Sequence, residues 1–251
     1  MIIQRSPFSR KLGTFVNLSE PELSILDGLH ARRKTFAAGR DLVQQGQPDQ
    51  SAYILAEGWV CSYRLLAGGG RQIVDFQIPG DFLGLRSVLC RTAGQSVEPL
   101  TKVQATPIGA NELMQVFVRS PQLGTAVLWA ASRDDAMVVE HLVGIGRRNA
   151  VERTAHLLLE LGARLTLVGL GTKSGYDCPL SQYLLADALG LSAVHVNRVL
   201  RELREAKLLT FRNGRVEILN FDGLVEFAEF DQDYLDHDGP LYNQTPTRIA
   251  A

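Results

Sequence analysis

The chain has 251 residues, 45% hydrophobic and 21% charged, with a formal net charge of −1. That balance fits one generous globular core or two modest ones and excludes a chain that is disordered throughout. No apolar run reaches the roughly 18 residues of a membrane span, and the opening MIIQRSPFSRKLG lacks the apolar heart of a secretory signal, so a cytoplasmic protein without a membrane partner is expected.

In chain order, the first residues read as a mobile start. The stretch SEPELSILDGL, Ser19 to Leu29, then combines a Ser/Glu pair with apolar residues at Leu23, Leu26 and Leu29, which predicts a short capped helix. From Thr35 to Leu83, runs rich in Val, Ile, Tyr and Phe (Leu42 to Val43, Ala52 to Leu55, Val60 to Leu66, Gln72 to Gln77) alternate with turn signals. These fall at Gly39, Gly46, Pro48, Gly58, Gly68 to Gly70 and Pro79 to Gly80. Short, regularly spaced strands mean a small sandwich, roll or barrel, with one further strand over Thr101 to Ile108.

Ser120 to Ile145 is predicted as a long helix with Ser at the cap and Pro at its first position. Leu128, Ala131, Asp135, Val138, Leu142 and Ile145 recur at alternating spacings of three and four, the seam of a coiled coil, so a second copy of the chain is the expected partner, although a lone helix packed on its own domain shows a similar stripe. Gly144 and Gly146 are expected to break this helix at a hinge. A further helix, Arg147 to Arg164, follows with Val151, Leu157, Leu158 and Leu161 on its buried side.

Ser181 to Leu209 carries the sharpest local signal, two short helices joined by a tight turn. Ser181 caps the first helix, Leu184, Leu185, Ala188 and Leu189 recur at helical spacing, and Gly190 supplies the turn. Ser192 caps the second helix. There Val196, Val199, Leu200 and Leu203 form an apolar stripe and leave His195, Asn197, Arg198, Arg201 and Arg204 on other faces. Leu208 to Arg212 and Arg215 to Leu219 flank Asn213-Gly214, the strongest short hairpin signal, and a last helix is expected over Phe221 to Leu235. Charge follows the same division: Arg147 to Glu217 holds eleven Lys/Arg against seven Asp/Glu, and Phe221 to Ala251 holds seven acids against one Arg. An excess of cations under a helix-turn-helix points to nucleic acid.

The stretches AGRDLVQQGQPDQSAYILAEGWV (Ala38 to Val60), PGDFLG (Pro79 to Gly84), GRRNAVERTAHLLLEL (Gly146 to Leu161) and LSQYLLADALGLSAVHVNRVLRELREAKLL together resemble the CRP/FNR superfamily of bacterial transcription regulators over nearly the whole length. The resemblance implies an α+β protein: an N-terminal helix and β-roll sensor domain (1–119), a dimerisation helix and hinge (120–146), a winged helix-turn-helix domain (147–235) and a flexible tail (236–251). It also implies a homodimer acting on double-stranded DNA, with RNA polymerase as a further partner. Arg198 matches the family arginine that donates two hydrogen bonds to guanine. The usual acidic residue four positions earlier is here Val194, beside Ala193, so the half-site is expected to differ from the family's consensus. Asn197 is placed to address adenine, Ser181, Ser192 and His195 to contact phosphate, with Arg201, Arg212 and Arg215 as weaker candidates.

The sensor departs from the cyclic-nucleotide-binding pattern. Leu85 stands where those members carry the ribose-binding Glu, and Gln95-Ser96 where they carry the phosphate-binding Arg. Gly80, Leu83, Leu85, Arg86 and Ser96 are therefore candidates for a pocket that is not expected to take cyclic AMP, Arg86 or Arg91 being the only cations near enough to substitute, and that holds haem, another small effector or none. Cys61, Cys90 and Cys178 match no disulfide framework or metal motif, and residues 1 to 60 contain no cysteine for an iron–sulfur cluster, so no cofactor or metal is expected. Two rivals remain: a winged-helix regulatory subunit acting through protein contact with a degenerate roll, and a cupin-like enzyme. The enzyme is disfavoured because Thr35 to Ile108 contains no histidine.

Overall fold

The structure, a computed structural model, describes residues 5–236. The opening segment is a helix, α1 (Pro7–Phe15), where a mobile start was expected. Ser6 caps it, Pro7 fits its first turn, and Phe8, Leu12 and Phe15 are buried on one face. Lys11, at the centre of that face, masks its amphipathic pattern in the sequence; it is buried and paired with Asp81 at 2.8 Å. Helix α2 (Glu20–Ala31) follows, its Glu22 reaching back to accept from the Ser19 amide at 2.8 Å.

Two antiparallel sheets form the roll. One has the order β1-β7-β2-β5 and the other β4-β3-β6, from strands β1 (Lys34–Phe36), β2 (Ala52–Glu57), β3 (Val60–Leu65), β4 (Arg71–Gln77), β5 (Phe82–Leu83), β6 (Ser96–Pro99) and β7 (Val103–Ile108). Val43, Leu55, Val60, Leu83, Val97 and Val103 fill the space between them. Leu42 to Val43, expected as a strand, makes only a single bridge from Val43 to Val97. The β2–β3 corner requires Gly58: its φ is 90°, and a Cβ there would lie 2.6 Å from the Lys102 carbonyl oxygen. Two helices absent from the sequence reading, α3 (Leu85–Leu89) and α4 (Ala110–Arg119), flank the roll.

Helix α5 (Pro121–Arg147) buries Leu123, Val127, Ala130 and Met137. It runs through Gly144 and Gly146, which correct the expected hinge: each glycine costs a helix only about 1 kcal/mol relative to alanine. The break falls at Arg148, whose ψ of 145° leaves the helical region. Asn149 then caps α6 (Ala150–Leu167), its Oδ1 accepting from the amides of Val151 and Glu152, so this helix starts later than the expected Arg147 and ends beyond Arg164.

The C-terminal unit packs α6 against α7 (Gln182–Leu189) and α8 (Ala193–Glu205). Its sheet has the order β10-β11-β9-β8, from β8 (Gly171–Thr172), β9 (Gly175–Asp177), β10 (Leu209–Arg212) and β11 (Arg215–Ile218). The glycine-rich pair β8 and β9 was not foreseen. Asn213 and Gly214, with φ of 51° and 71°, make the expected two-residue turn. The last helix, α9 (Phe221–Phe227), stops short of Leu235, and a 3-10 turn at Asp233–Leu235 returns the chain to the side of α5. Beyond Asp236, the tail expected over 236–251 lies outside the described residues.

Candidate nucleic-acid interface

The helix pair is built by its caps. Ser181 Oγ accepts from the Leu184 amide and Ser192 Oγ from the His195 amide, each at 3.2 Å, and Gly190 takes the left-handed φ of 63° that turns the chain between the two helices. Val196, Val199, Leu200 and Leu203 are buried, which fixes the rotation of α8 and turns its other face outward. On that face Val194 is 82% exposed, Asn197, Arg198 and Arg201 are exposed, and Ala193 and His195 are half-buried. Arg198 Nη2 donates to His195 Nε2 at 2.9 Å, so the imidazole presents a lone pair to the guanidinium and orients it. Arg201 forms an exposed pair with Glu205 at 3.6 Å, too solvated to hold it firmly.

Tyr183, 74% exposed at the start of α7, carries no local sequence signal, and Arg215, a weaker DNA-contact candidate from the sequence, pairs with Asp177 at 2.8 Å and braces the hairpin against β9. Exposure of a large aromatic beside the cap serine is the signal that only the fold reveals.

The seam residues of α5 divide. Leu128 is 58% exposed, Leu142 70% and Ile145 43%, whereas Ala131 and Val138 are half-buried. Val139 and Val143, unnoticed in the sequence, widen the same exposed apolar strip. Asp135 lies on the strip and pairs with Arg86 at 3.0 Å in the open.

The five positions considered for an effector are put to different uses. Leu83 is fully buried in the roll core, and Gly80 sits against α1, where a Cβ would come within 3.0 Å of the Pro7 carbonyl oxygen. Leu85 packs on the α1–α5 cluster, Arg86 belongs to the Asp135 pair, and Ser96 Oγ accepts from the Gln45 amide at 3.1 Å. Cys178 is buried and its thiol is pushed up to about 12 by that burial, so it is an inert thiol at neutral pH.

Roll and C-terminal unit are joined by a buried ionic cluster that no spacing in the sequence announced. Arg164, 1% exposed, pairs through Nη1 with Asp75 at 3.0 Å and Glu160 at 3.2 Å, and through Nη2 with Asp81 at 2.8 Å. Lys11 completes Asp81, while His141 Nε2 and the Tyr234 hydroxyl, each at 3.0 Å, complete Glu160. Burial would push the Asp81 carboxyl up, but Lys11 and Arg164 outweigh it and hold the acid below its usual range. Asp75, His141 and Glu160 place one ligand atom each within 4.8 Å of one another, yet Arg164 Nη1 already bridges the two carboxylates where a metal would bind.

Burial lowers the pKa of His141, but the Glu160 carboxylate more than reverses this and raises it to about 9 from 6.5. A folded-state value above the unfolded one means that the stabilisation is complete below about pH 6.5 and is lost as pH rises through 9. An NMR titration of the His141 ring is expected to show a midpoint near 9, and a midpoint near the ordinary 6.5 would contradict the assigned pairing.

A second junction docks α7 on β4. Arg71 bridges Asp187 at 2.7 Å and Glu98 at 3.2 Å, and Gln72 Nε2 donates to the Ala188 carbonyl at 3.0 Å. Among the described residues no helix is long and apolar enough to cross a membrane.

A roll of this topology, a long helix with an outward apolar strip and a winged helix-turn-helix define a β-roll domain joined by a long helix to a DNA-binding domain. The cyclic nucleotide-binding domain family matches residues 33–120 and the Crp-like helix-turn-helix domain family residues 152–227. The nitrogen fixation regulation protein FixK of Rhizobium meliloti is 31% identical over 195 residues, which cover 76% of this chain and 84% of that protein. FixK of Bradyrhizobium diazoefficiens is 30% identical over 190 residues, covering 75% and 78%. The structure of FixK2 from Bradyrhizobium japonicum superposes with a TM-score of 0.69 at 24% identity, covering 78% of this chain and 96% of that one. The chain belongs to the CRP/FNR superfamily of transcription regulators, whose members bind DNA through the helix-turn-helix.

Proposed function

We propose that the protein acts in the cytoplasm as a homodimer that reads double-stranded DNA with α8 in the major groove, and that it is not an enzyme. The observation that carries this reading is the outer face of α8. It is stripped of carboxylates from Ala193 to Arg201 and presents Arg198, preset by His195, beside Asn197 and the apolar tip of Val194. Arg198 is assigned to guanine and Asn197 to adenine, while Ala193 and Val194 meet thymine methyls. Ser181, Ser192, Tyr183 and Arg201 are assigned to phosphates, whose contribution falls steeply with salt. The exposed strip of Leu128, Leu142 and Ile145, with Ala131 and Val138 at its margin, serves as the seam between two copies.

Leu85 and Ser96, whose hydroxyl accepts from the Gln45 amide, replace the ribose- and phosphate-binding pair of cyclic-nucleotide sensors, so the regulator is proposed not to respond to cyclic AMP. RNA polymerase is the further partner that this role implies.

Arg198→Ala tests the assignment. Preference at one base pair of each half-site is expected to fall by about 1–3 kcal/mol, roughly five- to 150-fold, while weak salt-dependent binding to any duplex persists. Unchanged base preference in a gel-shift competition would overturn the role of Arg198.

A further inference from the structure

A cavity of about 180 Å3 lies between the roll and the helix-turn-helix, walled by β4, the C-terminal half of α5, the start of α6 and the end of α7. Ile73, Leu157 and Leu189 make most of its lining apolar, with Leu142 and Ile145, exposed members of the proposed seam, at its rim. A void of about 150 Å3 with such a lining accommodates benzene, so this one suits a single ring or a short acyl chain.

Its polar atoms are fewer and specific. Arg148 Nη1 and Arg153 Nε are buried and have no hydrogen-bond partner among the described residues. Both residues crowd the same glycine: a Cβ on Gly144 would lie 3.7 Å from Arg148 Nη1 and 3.8 Å from Arg153 Cβ. Arg148 Nη2 is occupied by Glu140, whereas Arg153 reaches only the Ile145 carbonyl at 3.4 Å and pairs with no described carboxylate. Asp75 and His141 are already neutralised by Arg164 and Glu160, which leaves the single carboxylate of Glu140 against Arg148 and Arg153 in the lining. His156 adds none, because burial and Arg148 depress its pKa to about 4. The walls thus carry one unbalanced positive charge and two unused donors.

We infer that this cavity binds a small monocarboxylic acid, its apolar body filling the void and its carboxylate accepting from Arg148 Nη1 and Arg153 Nε. A monoanion balances the lining, and an isolated buried guanidinium nitrogen is costly without such an acceptor. Since β4 belongs to the roll and α7 to the helix-turn-helix, the occupant touches both units and biases the placement of α8. This last step rests on the DNA-binding reading; the binding site itself does not.

Isothermal titration of the full-length protein, without DNA, with benzoate and hexanoate and with benzyl alcohol and hexanol as uncharged counterparts tests the site. At least one acid is expected to bind once per chain, about tenfold or more tighter than its alcohol, the factor associated with a hydrogen bond to a charged group. Arg153→Gln is expected to abolish that difference and Arg153→Lys to retain part of it, with circular dichroism melting confirming that both variants fold. No saturable binding of either acid, as when the second copy's side chains fill the void along α5, would overturn the site. So would acid binding that Arg153→Gln leaves unchanged. In a parallel gel shift, a change in DNA affinity on adding the acid, absent from Arg153→Gln, supports the coupling; binding of the acid with unaltered DNA affinity refutes the coupling alone. Failure to bind any DNA would refute the DNA-binding reading and leave the titration result standing.

Discussion

Arg164→Met is expected to destabilise the protein by about 3–5 kcal/mol, the cost of removing one partner from a buried ion cluster. Methionine approximates the volume of the arginine stem, so the loss is electrostatic. Asp75, Asp81 and Glu160 would be left with Lys11 and His141 as their remaining close cations, and the Phe76 carbonyl would lose its 2.9 Å donor. Against the 5–15 kcal/mol that holds a typical domain together, such a loss is a large fraction of the total. Urea denaturation followed by circular dichroism measures it, and a loss below about 1 kcal/mol would mean that the cluster is more hydrated than its burial indicates. Because the cluster joins β4 and the β4–β5 turn to α6, the variant is also expected to loosen the C-terminal unit from the roll, visible as earlier proteolysis between Gly146 and Ala150.

Leu128→Glu combined with Leu142→Glu is expected to convert the proposed homodimer into monomers. The two residues are 14 positions, or about 21 Å, apart along α5, which returns them to the same face after two heptads. Both are more than half exposed in the single chain, so the carboxylates cost the fold little. In a seam between two copies the same substitutions would bury four like charges at several kcal/mol each, and every 1.4 kcal/mol is a factor of about ten in the dimer dissociation constant. Sedimentation velocity separates the outcomes: a persistent dimer would place the interface elsewhere on the molecule. The monomer is also expected to lose high-affinity DNA binding, because one α8 engages only one half-site.

The elements legible in the sequence are those whose cause is local. Ser181, Gly190 and Ser192 act within four residues of themselves, and the Asn213-Gly214 turn dictates its hairpin, so the helix-turn-helix and wing were readable without tertiary knowledge. The apolar strip of α5 was equally visible because periodicity needs only one helix. Gly144 and Gly146 misled for the complementary reason: packing and the Asn149 cap, rather than propensity, decide where α5 ends. Helix α1 was missed because the buried face includes Lys11, tolerable there through Asp81, seventy residues away, and Asp134 on α5. The ionic cluster draws Lys11, Asp75, Asp81, His141, Glu160 and Arg164 from four regions of the chain, and the cavity beneath Arg148 and Arg153 likewise needs β4, α5, α6 and α7 together. No spacing rule encodes either. In the roll, the substitutions at Leu85 and Ser96 were readable as departures, while the separate uses of Gly80, Leu83 and Arg86 emerged only from their neighbours.

Selection of bound duplexes from a random DNA pool by the full-length protein tests the central claim most directly. The enriched sequences are expected to be two-fold symmetric, with half-site centres one helical turn apart and a guanine that loses its preference in Arg198→Ala. Recovery of no enriched sequence at low salt, where phosphate contacts are strongest, would contradict a DNA-reading function and favour a winged helix used for protein contact.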